Sequence, residues 1–333
     1  MKKMALLASM LVLFAALVSF GGGREAQAKK LVVGLSWNEK IHALIQAWED
    51  YMKQYSKEYG EEHGIEFEWI VNVAESDPAQ QASNIEDLIS MGVDVVIARA
   101  HDAAAIGASI RAAHEAGISF VTFDRECSTE TPDAHVGADS YTQSITTSLY
   151  FAGLLKGKGI KGKVIELMGD LRDMNAVYRS QGWKDVEDQL GQWETVIQVP
   201  TEWNVEKFKS GTVNALRAHP EANAMFVASD FCFSAVEAAL KEAGRLVPVG
   251  EKGHIWIAAQ DVNPQGYEAM VKGYIDVATT YDAYFHAVEA VKVLGRIAAG
   301  EDLRGQKFLV AGRVATPDNV KDMEYMWARD YKD

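Results

Sequence analysis

Two doubly wound parallel-sheet α/β domains are what this chain of 333 residues predicts, on three observations. Short apolar, β-branched runs alternate with amphipathic stretches along most of its length. The runs are apolar on both faces, as strands are in a parallel sheet covered by helices on both sides. Run after run then ends in a charged or amide residue. The length suits two domains of average size, each able to bury its own core.

In the first set, "LVVGL" leads into an amphipathic helix from His42 to Tyr59, and "FEWIVNV" into one from Pro78 to Met91. "VDVVIAR" is followed by a helix from Ala103 to Ala116, and "ISFVTFD" closes the set. The second set repeats the alternation. "KVIELMG", "TVIQVP", "AMFVASD", "HIWIAAQD" and "VATTYD" read as strands, interleaved with helices around Val177 to Leu190, Val205 to Ala218, Ser234 to Ala243 and Pro264 to Lys272. No long Pro/Gly/Ser linker separates the sets, which suggests short crossovers rather than a flexible tether.

The polar strand ends are Asn38, Arg99 with Asp102, Asp124-Arg125, Asp170, Ser229-Asp230, Gln260-Asp261 and Asp282. Ligands of open parallel sheets bind outside the carboxyl ends of the strands. A cleft between two such edges is therefore the expected binding site. Any single Asp, Asn or Ser in this series is equally explained as an N-cap of the following helix. Capping gives no account of Arg125.

Lys2 and Lys3, the apolar run Ala5 to Phe20 and the small-x-small triplet Ala26-Gln27-Ala28 read as a cleavable export signal over residues 1–28. The expected location is the periplasm. The formal charge is −14, and removing residues 1–28 takes a net +2 with it, leaving −16. Nucleic acid and anionic membrane both reward basic patches, so neither is expected as a partner. Cys127 and Cys232 are too few for a disulfide scaffold and too far apart for a CxxC motif, and both are expected as free thiols flanking the cleft. The eight histidines have no metal-ligand spacing, and no P-loop or dinucleotide fingerprint follows a strand, so no cofactor or metal is expected.

From about Lys30 onward the chain resembles the type I periplasmic sugar-binding proteins, the ribose, galactose, xylose and inositol receptors of ABC importers. The resemblance rests on "VTFDR", "HVGAD", "NAVYRSQGW", "MFVASD", "IAAQD" and "VATTYD" together, in order and spacing. It implies a multi-crossing hinge between the two domains: residues 29–138 plus about 283–310, and residues 139–282 plus about 311–333. It also implies ligand-binding roles for Asp124 and Arg125, for Asn175 and Arg179 of the N-x-x-x-R-x-x-G-W helix start, and for Asp261. Asp282 falls at the last hinge crossing. A sugar's hydroxyls alternate as donors and acceptors, which a carboxylate beside a planar guanidinium reads well.

Ring stacking on the sugar's C–H face points to Trp37 and Trp203. Trp183 is expected in the core, and Trp48, Trp69, Trp193 and Trp256 in core or surface positions. Several relatives carry Asn-Pro-Phe-Phe where this chain has Asn38-Glu39-Lys40-Ile41, and Asn-Asp where it has Ser229-Asp230. Those departures add Glu39, Lys40 and Asp230 to the expected site, with Arg99 from the third strand end, and they argue against ribose itself. The resulting lining is mixed in sign and suits a neutral polyhydroxyl ligand.

Other functions fit less well. A glycosidase needs two placed carboxylates, which Asp124 and Asp261 supply, but Arg125 beside Asp124 favours the ionised form over a proton donor. A repressor on the same core needs a basic helix-turn-helix where this chain has the export signal. The expected activity is thus non-enzymatic: a monomeric receptor that closes over one monosaccharide or cyclic polyol and delivers it to an ABC transporter permease, with a chemoreceptor as the alternative partner.

Overall fold

The structure is a computed structural model that describes residues 28–331. The predicted export signal, residues 1–28, lies outside them but for Ala28.

The described residues form two six-stranded sheets. The first contains β1 (Lys29–Trp37), β2 (Ile65–Val73), β3 (Val95–Ala98), β4 (Ser119–Phe123), β5 (Ala134–Ala138) and β11 (Gln306–Val310), in the order β11-β5-β4-β3-β1-β2 and parallel throughout. The second contains β6 (Gly162–Met168), β7 (Trp193–Pro200), β8 (Ala224–Val227), β9 (Trp256–Asp261), β10 (Val277–Thr280) and β12 (Val314–Ala315), in the order β12-β10-β9-β8-β6-β7. Its edge strand β12 runs antiparallel to β10. The central strands β3, β5, β8 and β10 are buried at every residue, as an apolar run covered on both faces requires. Edge strand β2 exposes Glu66 and Glu68.

Helices α1 (Ala43–His63), α2 (Pro78–Ser90) and α3 (Ile106–Glu115) pack on the first sheet, and α5 (Met174–Leu190), α6 (Val205–Ala218), α7 (Phe233–Glu242) and α8 (Pro264–Val271) on the second. Their starts follow the sequence. Asp77 caps α2 ahead of Pro78, Asp173 caps α5 and Asn204 caps α6, each accepting from a first-turn backbone N–H. Gly64, left-handed at φ 67°, ends α1 and lets β2 begin at the next residue.

Two helices lie outside the predicted set. These are α4 (Ser140–Gly157), which packs on α5, β9 and β10, and α9 (Ala283–Ala298), which packs on α1, β5 and β11. The first is rich in serine and threonine and buries Ser144, Thr147 and Ser148 as well as Phe151 and Leu155, which erases the apolar/polar contrast on which periodicity depends. Both lead the chain from one sheet to the other. Among the described residues it crosses between the sheets three times: from β5 to α4, from β10 to α9, and from β11 to β12.

A buried histidine gives the first domain a pH dependence. His135 on β5 is 3% exposed, its Nδ1 is paired with Thr122 Oγ1 at 2.9 Å, and burial pushes its pKa down to about 4. Below about pH 6.5 the unfolded chain takes up a proton that the folded ring refuses. The stability this ring contributes is therefore present above that pH and is lost as pH falls towards 4, by up to about 3 kcal/mol. Urea unfolding of wild type and His135→Asn from pH 7 to pH 4 should give a stability difference that narrows on acidification. A constant difference would exclude the ring as the source.

Candidate functional site

The carboxyl ends of both sheets face one cleft, the place where open parallel sheets bind their ligands. Its first-domain wall is His42, Leu44, Ile45, Trp48, Arg99, Asp124 and Arg125. The second-domain wall is Asp173, Asn175, Arg179, Trp203, Ser229, Phe231, Asp261 and Asn263, with Tyr281 at the β10–α9 crossing. The backbone is strained where the cleft is built. Asp124 (φ 63°), Trp203 (φ 53°), Asp261 (φ 93°) and Val262 (φ 54°) occupy positive φ without being glycine, and strain of this kind persists only where the surroundings over-determine it.

Three guanidinium–carboxylate pairs dominate the lining. Arg99 Nε donates to Asp124 Oδ2, and Arg99 Nη1 to Asn38 Oδ1 at 2.6 Å. Arg125 Nε lies 2.9 Å from Asp173 Oδ2 on the opposite domain, while Arg125 Nη1 donates to the Ala100 carbonyl at 3.2 Å. Arg179 grips Asp261 with both terminal nitrogens, at 2.6 and 3.2 Å, and Nη1 also donates to the Ala228 carbonyl at 2.6 Å. The neighbours Asp124 and Arg125 approach each other no closer than 4.0 Å, and each pairs elsewhere. The reason lies in the Asp124 kink, which aims the two adjacent side chains at different partners.

These pairs set the protonation states. Burial works against the Asp124 carboxylate, but Arg99 and Arg125 outweigh it and hold its pKa below the usual range. For Asp261 the balance goes the other way, burial prevailing over Arg179. Tyr281 is pushed well above the ordinary phenol by burial and by the Asp124 charge, so its hydroxyl stays protonated and donates to Asp124 Oδ1 at 2.5 Å.

Contacts also run directly between the domains. Asn175 Nδ2 donates to the Asp124 carbonyl at 3.0 Å and to Asp124 Oδ1 at 3.2 Å. Asp173 Oδ2, besides facing Arg125, accepts from Trp203 Nε1 at 3.0 Å. The His42 and Phe231 rings meet edge to face across the cleft at 4.5 Å.

Of the residues expected from sequence, Arg99, Asp124, Arg125, Asn175, Arg179, Trp203 and Asp261 line the cleft. The six others do not line it. Trp37, expected as a stacking platform, is fully buried beneath α1, stacked on Trp48, with Nε1 donating to Glu49 at 2.9 Å. A strand side chain facing the sheet's helical cover cannot also face the strand end. Asn38 holds Arg99 from behind. Glu39 accepts from Ser76 at 2.7 Å and lies 3.5 Å from Arg99, and against the cost of its burial His42, Arg99 and Arg125 keep its pKa far below the carboxylate norm. Lys40 is drawn to Glu49 at 2.8 Å.

Asp230 accepts from the backbone and side-chain nitrogens of Asn263, which fixes the turn carrying Asp261 and Asn263. Burial and the nearby Asp261 charge raise its pKa well above the ordinary value. Asp282 accepts from Arg313 at 2.7 and 3.0 Å, tying the second crossing to the third. The cysteines are not bridged, and neither lines the cleft: Cys127 is half-buried on the first domain and Cys232 buried at the start of α7.

Sequence reasoning missed Trp48, His42, Leu44 and Ile45, all at the start of α1, together with Asp173, Phe231, Asn263 and Tyr281. Two of these directly adjoin singled-out positions, Phe231 after Asp230 and Tyr281 before Asp282, and Asp173 caps the helix that carries Asn175. A helix that starts at a strand's carboxyl end lies at the cleft rim, and that rule would have nominated the α1 residues.

Known proteins resemble this chain in sequence and fold. The chain is 23% identical over 237 residues to the ribose import binding protein of Salmonella typhimurium, covering 71% of this chain and 76% of that one. It is 25% identical over 262 residues to the D-apiose import binding protein of Paraburkholderia graminis, covering 78% and 80%. Among solved structures, an ABC transporter solute binding protein from Bacillus halodurans with bound myo-inositol has a TM-score of 0.77 at 24% identity, covering 90% of this chain and 99% of that one. The family model described as periplasmic binding protein domain matches residues 33–302, from the first strand of one sheet to just past α9. A match of that extent takes in every strand but the edge strands β11 and β12, and all the cleft-lining residues, and the chain accordingly belongs to the periplasmic binding protein domain family.

Proposed function

We propose that this protein is a non-enzymatic receptor that binds one monosaccharide or cyclic polyol in the interdomain cleft and delivers it to the permease of an ABC importer. The observation that carries the reading is the cleft lining, where three buried guanidinium–carboxylate pairs stand among the rings of Trp48, Trp203, Phe231 and Tyr281. The charged lining residues balance in sign, which favours an uncharged ligand, and fixed planar hydrogen-bonding groups beside aromatic faces suit hydroxyls and C–H faces together. The ribose, apiose and myo-inositol in the relatives' names support the same class.

The reading carries four assignments with it. Residues 29–138 with 283–310 and residues 139–282 with 311–333 act as the two lobes, in keeping with the three crossings. The ligand touches Arg99, Asp124, Arg125, Asn175, Arg179, Trp203 and Asp261, joined by Trp48, Phe231 and Tyr281. Export to the periplasm proceeds through the segment 1–28, and no helix among the described residues is long and apolar enough to cross a membrane. The protein acts as a monomer, with a chemoreceptor as a second client of the closed form.

A thermal-shift screen over pentoses, hexoses and inositols tests the reading. A saccharide at 100 times its dissociation constant adds about 2.7 kcal/mol, which raises the melting temperature of a chain this long by about 4 °C. Shifts with sugar acids or amino acids, and none with neutral saccharides, would overturn it.

A further inference from the structure

We propose that Tyr281 sets the specificity of the cleft by occupying, with its own hydroxyl, the place of one ligand hydroxyl on Asp124. The saccharide the cleft prefers then carries hydrogen in place of that hydroxyl on the ring carbon facing Tyr281. This inference rests on the saccharide reading above and narrows it.

The acceptor capacity of Asp124 is largely taken up by the protein itself. An ionised carboxylate offers about four acceptor positions on its two oxygens. Oδ1 takes the Tyr281 hydroxyl at 2.5 Å and Asn175 Nδ2 at 3.2 Å, and Oδ2 takes Arg99 Nε. About one position remains, on Oδ2. A bidentate grip on two adjacent sugar hydroxyls, natural for an unencumbered carboxylate, is therefore closed off. Tyr281 has supplied one of those hydroxyls from the protein side.

Nothing around Tyr281 lets it swing away to restore that position. It sits on the crossing between β10 and α9, with its backbone N–H bonded to the Asp261 carbonyl at 2.9 Å and its carbonyl accepting from Trp327 Nε1 at 2.9 Å. Its ring stacks on His286 at 4.7 Å with 14° between the planes, and Arg179 lies over it at 5.3 Å. Burial, together with Asp124, keeps the phenol protonated, so it remains a donor to the carboxylate. The residue is thus a fixed, protein-borne hydroxyl at the floor of the cleft, touching the first-domain acid and the second-domain base at once.

The test is calorimetric titration of wild type and Tyr281→Phe with D-ribose, D-galactose and myo-inositol, each beside its full set of monodeoxy analogues. Phenylalanine keeps the ring packing and frees one position on Asp124 Oδ1. In wild type, one monodeoxy analogue should bind at least as tightly as its parent. In the variant the ratio for that pair should shift roughly tenfold or more towards the parent, because a hydrogen bond to a charged group is regained only by the hydroxylated member. Equal weakening of parent and analogue in the variant would reduce Tyr281 to a packing role and overturn the proposal, leaving the saccharide reading intact. Failure of every parent and analogue to bind wild type would overturn both.

Discussion

Replacing Arg179 with alanine should destabilise the second domain by about 3–5 kcal/mol and abolish measurable saccharide binding, the largest effect expected of any single substitution in the cleft. Arg179 and Asp261 are both almost wholly buried, and the guanidinium meets the carboxylate with two nitrogens while also satisfying the Ala228 carbonyl. Its removal leaves Asp261 buried beside Asp230, an acid already driven towards its neutral form, with only the Ser229 hydroxyl for support. The variant should identify itself by its pH dependence. Without Arg179 the folded-state pKa of Asp261 rises further above its unfolded value, so the penalty is full above the folded value and is relieved as acidification protonates the group. Urea unfolding at pH 7 and pH 5 should show the deficit shrinking at the lower pH. Arg179→Lys, which keeps the charge but loses the two-nitrogen grip, should fall between alanine and wild type. A pH-independent deficit would mean that lost packing, and not the stranded carboxylate, is the cause.

Asp124→Asn should cost about 3 kcal/mol in stability and weaken saccharide binding by a comparable factor. The shape is kept, and asparagine tolerates the φ of 63° as well as aspartate does, so the loss measures the charge together with one acceptor oxygen replaced by a donor that faces donors. It falls at the lower end of the range for a broken buried pair because Glu39 lies 3.5 Å from Arg99 and shares the neutralisation. Asp124→Ala should cost about 1 kcal/mol more, since alanine adds the strain of the left-handed backbone. Calorimetric unfolding of both variants gives the two increments separately. Asparagine behaving like wild type would show that Glu39 suffices as the counter-ion of Arg99.

Much of the candidate site was legible because parallel strands must end at the cleft. A charged residue directly after a buried apolar run has few other places to go. That logic marked Arg99, Asp124, Arg125 and Asp261 as members of one place, and the family resemblance added Arg179 from the start of α5. It gave no pairing. Adjacency in the chain suggested Asp124 with Arg125, yet the φ of Asp124 turns the two apart, and the partner of Arg125 comes from the other domain as the cap of α5. The tryptophans exchanged roles for a similar reason. Trp37 and Trp48 are stacked on each other, and only the height of α1 over the first sheet decides which of the two faces the cleft.

By itself, the sequence determined the architecture and the chemistry of the cleft: strands apolar on both faces demand helical cover on both sides, and polar strand ends demand a shared solvent-facing edge. These are local requirements, written in each segment's own residues. Only the tertiary structure decided which acid neutralises which base, which ring faces the ligand, and that Asp230 and Asp282 support the site from behind, through Asn263 and Arg313. Those outcomes depend on side chains brought within 3 Å of one another by strand order and three interdomain crossings, and distances of that kind are set by the packing of the whole chain.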